Sequence, residues 1–297
     1  MRDVFILTGP TGCGKSELGL ALAERLGAEI VAMDSMTLYR GMDIGTAKPS
    51  ALERGRVQHH LIDVLEPWES ASVAWWLGRA LECCRGIRSR GKRVLFVGGT
   101  PLYLKALLRG LFDGPPANPE LRRRLEQEAE TLGKQALHDR LARVDPATAA
   151  RLHVNDQRRI IRALEVFEST GRPISDWQRE WQRQSENDAG HVLWLDLPRA
   201  ELYARIDARV QEMVEAGLVE EVRALRKLPR PLSKEASQAL GYKEMFAHID
   251  GQATLEETIQ RIQTRTRNFA KRQITWFRHL PECRAVSAEL TFKLWTT

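Results

Sequence analysis

The stretch Gly9-Pro10-Thr11-Gly12-Cys13-Gly14-Lys15-Ser16 constrains this chain more than any other. It lies between an apolar run, Val4-Phe5-Ile6-Leu7, and a helical pattern from Glu17 to Leu26. A GxxxxGK(S/T) spacing with a strand before it and a helix after it predicts a phosphate-binding loop. The glycines let successive backbone N–H groups face one anion, and the positive end of the following helix adds to them. Lys15 supplies a mobile full charge, and the Ser16 hydroxyl is placed to ligate a Mg²⁺ that bridges phosphate oxygens. Leu18, Leu22 and Leu26 recur four apart and Gly27 stands where a C-terminal cap belongs, so the helix has its own signals. The motif leaves open which di- or triphosphate is held.

The same strand-and-helix alternation continues. Residues 28–33 read as a second buried strand ending at Asp34-Ser35, and in an open parallel sheet that places Asp34 toward the phosphate loop's side. Residues 36–70 read as irregular and carry Tyr39-Arg40-Gly41-Met42-Asp43-Ile44-Gly45-Thr46-Ala47-Lys48-Pro49, a loop with polar hooks. A helix follows from Ser72 through Ile87, closed by Gly91, in which Trp75 and Trp76 read as core packing. A third strand from Arg93 ends in Gly98-Gly99-Thr100, whereas NTP-hydrolysing relatives of such loops end it in an aspartate for Mg²⁺ and water. Thr100 stands at an N-cap position, Pro101 at the first helical position, and Leu102 to Arg109 form a short helix. A cap there also faces the crevice.

Composition shifts at Gly110–Pro119, which reads as a hinge, and from there to about Gln184 every segment looks helical. The expected domains are residues 1–112 and 190–297 as two parts of one α/β core, with 113–189 as an all-helical insertion. The fold class is therefore a P-loop NTPase-like parallel sheet flanked by helices. Within the insertion, Arg158, Arg159 and Arg162 cluster at the start of a helix as either a solvated face or a binding one. Residues 191–197 return to strand character. Helices follow over 199–216, with Arg205 and Arg209 four apart, and over 218–226. Ser237 to Tyr242 reads as a glycine turn. The last long helix, about 255–278, shows Ile262, Phe269 and Trp276 as a seven-residue apolar seam and no acid between Thr258 and Arg278. Its Arg261, Arg265, Arg267, Lys271, Arg272 and Arg278 are what binding to a nucleic-acid backbone would use. After Pro281 no pattern stands out.

Composition narrows the class. The 297 residues carry a formal charge of +6, compatible with a polyanionic partner. No run approaches the roughly 18 apolar residues of a membrane span, and no leader pattern opens the chain, so a cytosolic protein without a membrane partner is expected. Cys13, Cys83, Cys84 and Cys283 show no CxxC spacing, which suggests neither a zinc site nor a disulfide framework.

Four segments together resemble one family, the tRNA dimethylallyltransferases, also called tRNA isopentenyltransferases. They are Gly9-Pro10-Thr11 with Gly14-Lys15-Ser16; Asp34-Ser35 followed by the Tyr39–Pro49 stretch; Gly98-Gly99-Thr100 with Leu102-Tyr103; and Lys271-Arg272-Gln273-Ile274-Thr275-Trp276. The resemblance runs from the first strand to about Arg278. It implies transfer of a dimethylallyl group from dimethylallyl diphosphate to the exocyclic amine of the adenosine 3′ of the anticodon, with release of diphosphate.

By the same resemblance the loop Gly9 to Ser16 and Arg209 meet the diphosphate, Thr100 lies by the reacting adenosine, and Asp34 is the general base, with Mg²⁺ ligation as its alternative role. Asp34-Ser35-Met36-Thr37, Arg122, Arg158-Arg159-Ile160-Ile161-Arg162, Gln238 and Lys271 to Trp276 with Phe277 and Arg278 match positions that contact tRNA. Met36-Thr37-Leu38 stand where many members carry a glutamine, and Gln238 where some carry an arginine. The implied partners are a tRNA anticodon stem-loop and dimethylallyl diphosphate, the cofactor is Mg²⁺, and a monomeric bacterial-type enzyme is expected. From the residues alone, two other readings stand beside this one. They are a small-molecule or nucleotide kinase and a nucleotide-switched RNA-binding protein, the second weakened by the missing acid after the third strand.

Overall fold

In the computed structural model of the chain, which describes residues 4–111, 114–178 and 191–296, six parallel strands form one sheet. The strands are β1 (Val4–Thr8), β2 (Ala28–Ala32), β3 (His59–His60), β4 (Arg93–Gly98), β5 (His191–Leu195) and β6 (Cys283–Val286), in the spatial order β3-β2-β4-β1-β5-β6. β1 is central, paired in register with β4 on one side (Leu7 opposite Val97) and β5 on the other (Leu7 opposite Leu193). Both faces of the sheet's centre are covered, so β1, β4 and β5 are largely apolar, while the edge strands β3 and β6 are not. Alternate residues Phe5, Leu7, Ile30 and Leu95 pack with α1 (Lys15–Leu26) on one face. Ile6, Val31, Val94 and Phe96 pack into the larger core on the other.

The connection from β2 to β4 carries α2 (Ala51–Arg56) and α3 (Val73–Ser89), and α4 (Pro101–Arg109) follows β4. Trp76 of α3 is wholly buried. It stacks on Tyr103 of α4 at 4.3 Å between ring centroids and donates its Nε1–H to the Ala32 carbonyl at 3.2 Å. Both its apolar and polar parts are satisfied at the end of β2, and truncation to alanine would cost about 3–5 kcal/mol. Trp75 is only partly buried.

Three segments correct the sequence reading. The region 36–70 is not wholly irregular: α2 opens with a reciprocal capping box between Ser50 and Glu53 and is followed by β3. The S-x-x-E signal was present, but α2 buries none of its residues, so no apolar periodicity accompanied it. The tail after Pro281 supplies β6 and α14 (Ala288–Thr296), with Trp295 edge-on to Phe5 at 5.2 Å. The seven-residue seam on the long helix α13 (Leu255–Arg278) is replaced by a 3.6-period face of Thr258, Ile262, Ala270, Gln273 and Phe277. Phe269 and Trp276 are only partly buried, because a helix lying on a globular core, not on a parallel partner, follows the pitch of the helix itself. Between β5 and α13 lie α9 (Arg199–Glu215), α10 (Leu218–Arg226), α11 (Lys234–Ser237) and α12 (Tyr242–Ile249), numbered after the labelled insertion helices named next.

The chain forms two compact units, residues 1–108 with 188–297, and residues 109–187. The second contains α5 (Pro119–Leu132), α6 (Lys134–Val144), α7 (Pro146–Ala149) and α8 (Gln157–Thr170) around its own core of Leu125, Leu137, Leu141, Ile160, Ile161 and Leu164. A helix expected over 174–182 is present at 174–178, and the remainder lies outside the described residues. Ile160 and Ile161, two of the positions expected to meet tRNA, have their side chains buried in that core. Glu165, fully buried, accepts the Asn118 N–H at 2.7 Å and pairs with Arg122 at 2.9 Å and Arg162 at 2.6 Å. Burial pushes its carboxyl up, but these donors outweigh burial and hold it below the ordinary glutamate range.

Candidate active site

The phosphate loop is shaped by its glycines. Gly12 and Gly14 have φ of +82° and +85°, and Gly14 is the N-cap of α1, so the loop turns directly into the helix. Cys13 points inward and is buried, which fits a small packing residue. The Lys15 ammonium folds back and donates to the Pro10 carbonyl at 3.2 Å, and Ser16 stands exposed on the first turn.

The crevice beside the loop lies off the carboxyl ends of β1, β2 and β4. Asp34 follows β2, and its Oδ1 accepts the Met36 N–H at 2.8 Å, which closes a tight turn and fixes the carboxylate at the crevice. Thr100 does not cap α4 with its side chain: its hydroxyl accepts the Ser35 N–H at 3.2 Å, while its carbonyl accepts the first helical N–H groups. It therefore clamps the Asp34-Ser35 turn to the start of α4. A cavity of about 110 Å³ opens here. Its polar wall includes Thr11, Lys15, Ser16, Asp34, Thr37 and Arg209, and its apolar wall Leu20, Ile30, Ala32, Val97 and Phe269.

Arg209, on α9, has no hydrogen bond or ion pair among the described residues. Enclosure by protein pulls its pKa down, and the Asp34 charge only partly opposes this. Arg205, on the same helix, is exposed and paired with Glu201, and its guanidinium lies beside Gly14 at the outer side of the loop. A half-buried guanidinium without a partner is less well solvated than a free one, and it is stabilised when an anion enters.

The Tyr39–Pro49 stretch is built by two polar hubs. The Lys48 ammonium, 2% exposed, bonds the Tyr39 carbonyl at 2.7 Å and pairs with both Asp43 and Asp63. Glu221 of α10 accepts the N–H groups of Asp43, Ile44 and Gly45 at 2.9, 2.8 and 3.2 Å and the Tyr242 hydroxyl at 2.5 Å. Gly45 is required, since a Cβ there would stand 2.5 Å from the Tyr242 ring. The loop so fixed brings Thr46, Ala47 and Pro49 to the cavity wall. Sequence reading missed Glu221 and Tyr242, because nothing local to them marks a partner nearly 180 residues earlier.

The basic helix α13 divides differently from expectation. Lys271, Arg272, Thr275 and Arg278 are exposed, and Ile274 and Trp276 partly so. Gln273 and Phe277, also expected to meet tRNA, have buried side chains, Phe277 against Trp194 at 5.9 Å. Gln238 is exposed and accepts from Lys243 at 2.7 Å. In the insertion Arg158 and Arg159 are exposed, Arg159 pairing with Asp156. Arg122 and Arg162 hold Glu165, which directs part of each guanidinium inward. Among the described residues no three His, Cys, Asp or Glu side chains gather to hold a metal, and no helix is long and apolar enough to cross a membrane.

Comparison with known proteins adds the following. The family described as IPP transferase matches residues 37–280, and that described as isopentenyl transferase matches residues 2–63. A tRNA dimethylallyltransferase of Syntrophobacter fumaroxidans is 46% identical over 98% of this chain and 85% of its own. One of Geobacter metallireducens is 48% identical over 93% and 89%. Among solved structures, the full-length tRNA isopentenylpyrophosphate transferase of Bacillus halodurans superposes with a TM-score of 0.71 at 38% identity, covering 99% of this chain and 95% of that one. A eukaryotic dimethylallyltransferase captured acting on tRNA gives 0.77 at 28% identity, covering 97% and 74%.

Proposed function

The chain belongs to the IPP transferase family, and from that premise we propose how its residues carry a dimethylallyl group from dimethylallyl diphosphate to tRNA. It is an enzyme, a prenyltransferase acting on tRNA. The observation that carries the assignment of roles is Arg209, an enclosed and unpartnered cation on the same cavity as Lys15, Ser16 and Asp34.

The diphosphate sits on the loop amides between Gly12 and Ser16, with Lys15 leaving the Pro10 carbonyl for a phosphate oxygen and Arg209 supplying a second charge. As the allylic C–O bond breaks, negative charge grows on the diphosphate, where these donors already point. The exocyclic nitrogen of the adenosine 3′ of the anticodon forms the new bond to the allylic carbon. Its proton passes to the Asp34 carboxylate, which the Met36 N–H holds in place. Thr100 keeps that turn in position beside the base. Mg²⁺ fits the donor set, with the Ser16 hydroxyl as its protein ligand, because this ion is commonly bound by one or two protein oxygens plus phosphate and water. When bound it would neutralise the leaving charge. The target base must leave its stack to enter so small a crevice. Exposed Lys271, Arg272 and Arg278, with Arg158 and Arg159 on the insertion, would meet the phosphates of the anticodon stem-loop.

The test supplies Mg²⁺, unmodified tRNA and either labelled dimethylallyl diphosphate or labelled ATP, with wild type and Asp34→Asn. Prenyl label enters tRNA, and the variant loses about 10²–10⁴-fold in kcat while donor affinity stays within about threefold. Phosphate leaving ATP with no prenyl transfer would return the chain to the kinases.

A further inference from the structure

Gln273 lies on the buried face of α13 and is 3% exposed, yet its amide satisfies nothing on its own helix. Its Oε1 accepts the Thr11 N–H at 2.9 Å, and its Nε2 donates to the Gly99 carbonyl at 2.6 Å. Those partners are 262 and 174 residues away in sequence, one in the phosphate loop and one just past the end of β4. The joint has no slack, since a methyl group on Gly99 would stand 2.7 Å from Nε2. The neighbours of Gln273 along α13 face the other way: Lys271, Arg272 and Thr275 are exposed. One turn earlier, Phe269 of the same helix lines the cavity. A helix whose solvent face carries Lys271 and Arg272, neither of them in an ion pair among the described residues, is thus joined through one amide to the phosphate loop and to the end of β4.

We propose that Gln273 is a positioning residue that couples the two substrates. Phosphate contacts on the outer face of α13 set the helix, and the Gln273 amide passes that setting to Thr11 and Gly99, so the diphosphate binds more tightly when tRNA is in place. The proposal rests on the reading above, in which α13 meets tRNA and the loop meets the diphosphate. Gln273 also lines the cavity, but its amide is already bonded to Thr11 and Gly99, and the Thr11 N–H it holds is withheld from the anion, so its effect is on loop shape. Reciprocity requires that the donor tighten tRNA binding by the same factor.

The experiment measures binding of an unreactive thiolodiphosphate analogue of the donor to the full chain, with and without tRNA. Wild type binds the analogue about fivefold or more tightly when tRNA is present, a coupling at the low end of the usual range. Gln273→Met has similar volume and lacks both hydrogen bonds, and it brings the ratio to within about twofold of one by the same reasoning. A merely structural side chain would weaken both affinities and leave the ratio intact. If the methionine variant fails to fold by thermal melt, Gln273→Asn, which keeps the amide one methylene short, serves the same measurement. A wild-type ratio of one, or an unchanged ratio in a folded variant, overturns the coupling. Failure of the wild type to bind the analogue at all overturns instead the assignment of the loop.

Discussion

Replacing Arg209 with glutamine should push stability and activity in opposite directions. The guanidinium has no partner among the described residues and sits where enclosure lowers its pKa. In the ligand-free protein its removal relieves a desolvation cost, and since Asp34 offsets part of that cost the gain is about 1 kcal/mol. With donor bound, the same residue makes up to two charge-assisted hydrogen bonds to diphosphate, each worth about 1.5–3 kcal/mol. Their loss lowers kcat/KM for the donor by roughly 10²–10⁴-fold. Urea denaturation of both proteins, with and without inorganic diphosphate, separates the two effects. Wild type at a hundred times its Kd gains about 2.7 kcal/mol, and the variant at the same concentration gains little. If the ligand-free variant is instead less stable by more than about 1 kcal/mol, the guanidinium supports the fold. If diphosphate stabilises both equally, Arg209 is not part of an anion site.

Four further outcomes follow from the geometry. Gly45→Ala drives a methyl into the Tyr242 ring and should destabilise by about 1–3 kcal/mol. Gly78→Ala on α3, where nothing lies within 4 Å, should stabilise by about 0.5–1 kcal/mol, and equal effects in denaturant melts would refute the close-approach account. Glu165 has a folded pKa below its ordinary 4.5, so its stabilisation is present above that value and is lost as pH falls through the folded one. Glu165→Gln should therefore cost about 3–5 kcal/mol near neutrality, and the difference from wild type should shrink below about pH 4. A gap that stays constant down the acid limb would contradict this. For Lys271→Gln, the plot of log K for tRNA against log salt should flatten by about 0.7–0.9, and an unchanged slope would remove Lys271 from the interface.

What the sequence disclosed was whatever local chemistry determines. The phosphate loop, the helix pitch of α1 and α9, and the apolar β1, β2 and β4 are set by residues within a turn or a strand of each other. Asp34 was legible because a sheet's carboxyl edge is a place that topology specifies. The losses came where a residue's partner is distant. Gln273 stands in a basic stretch, and nothing local to it marks Thr11 and Gly99 as its partners. Ile160 and Ile161 stand beside the arginines of α8 in sequence, and a helix that turns about 100° per residue sends them into the insertion's own core. β6 is four residues long, with Arg284 and Ala285 exposed, so neither periodicity nor an apolar run announced it.

The sheet order also sets a schedule for synthesis. β1, β2 and β4 can pair once residue 98 has left the ribosome, but the other edge of β1 waits for β5, which begins at His191. At about 5–20 residues per second the nascent chain carries that naked central edge for roughly 5–20 s. In this interval the insertion, with its separate core, can complete its own folding. Slowed translation between Gly98 and His191 would lengthen the exposure of an apolar strand edge, and loss of soluble protein would then appear without any change in the amino-acid sequence.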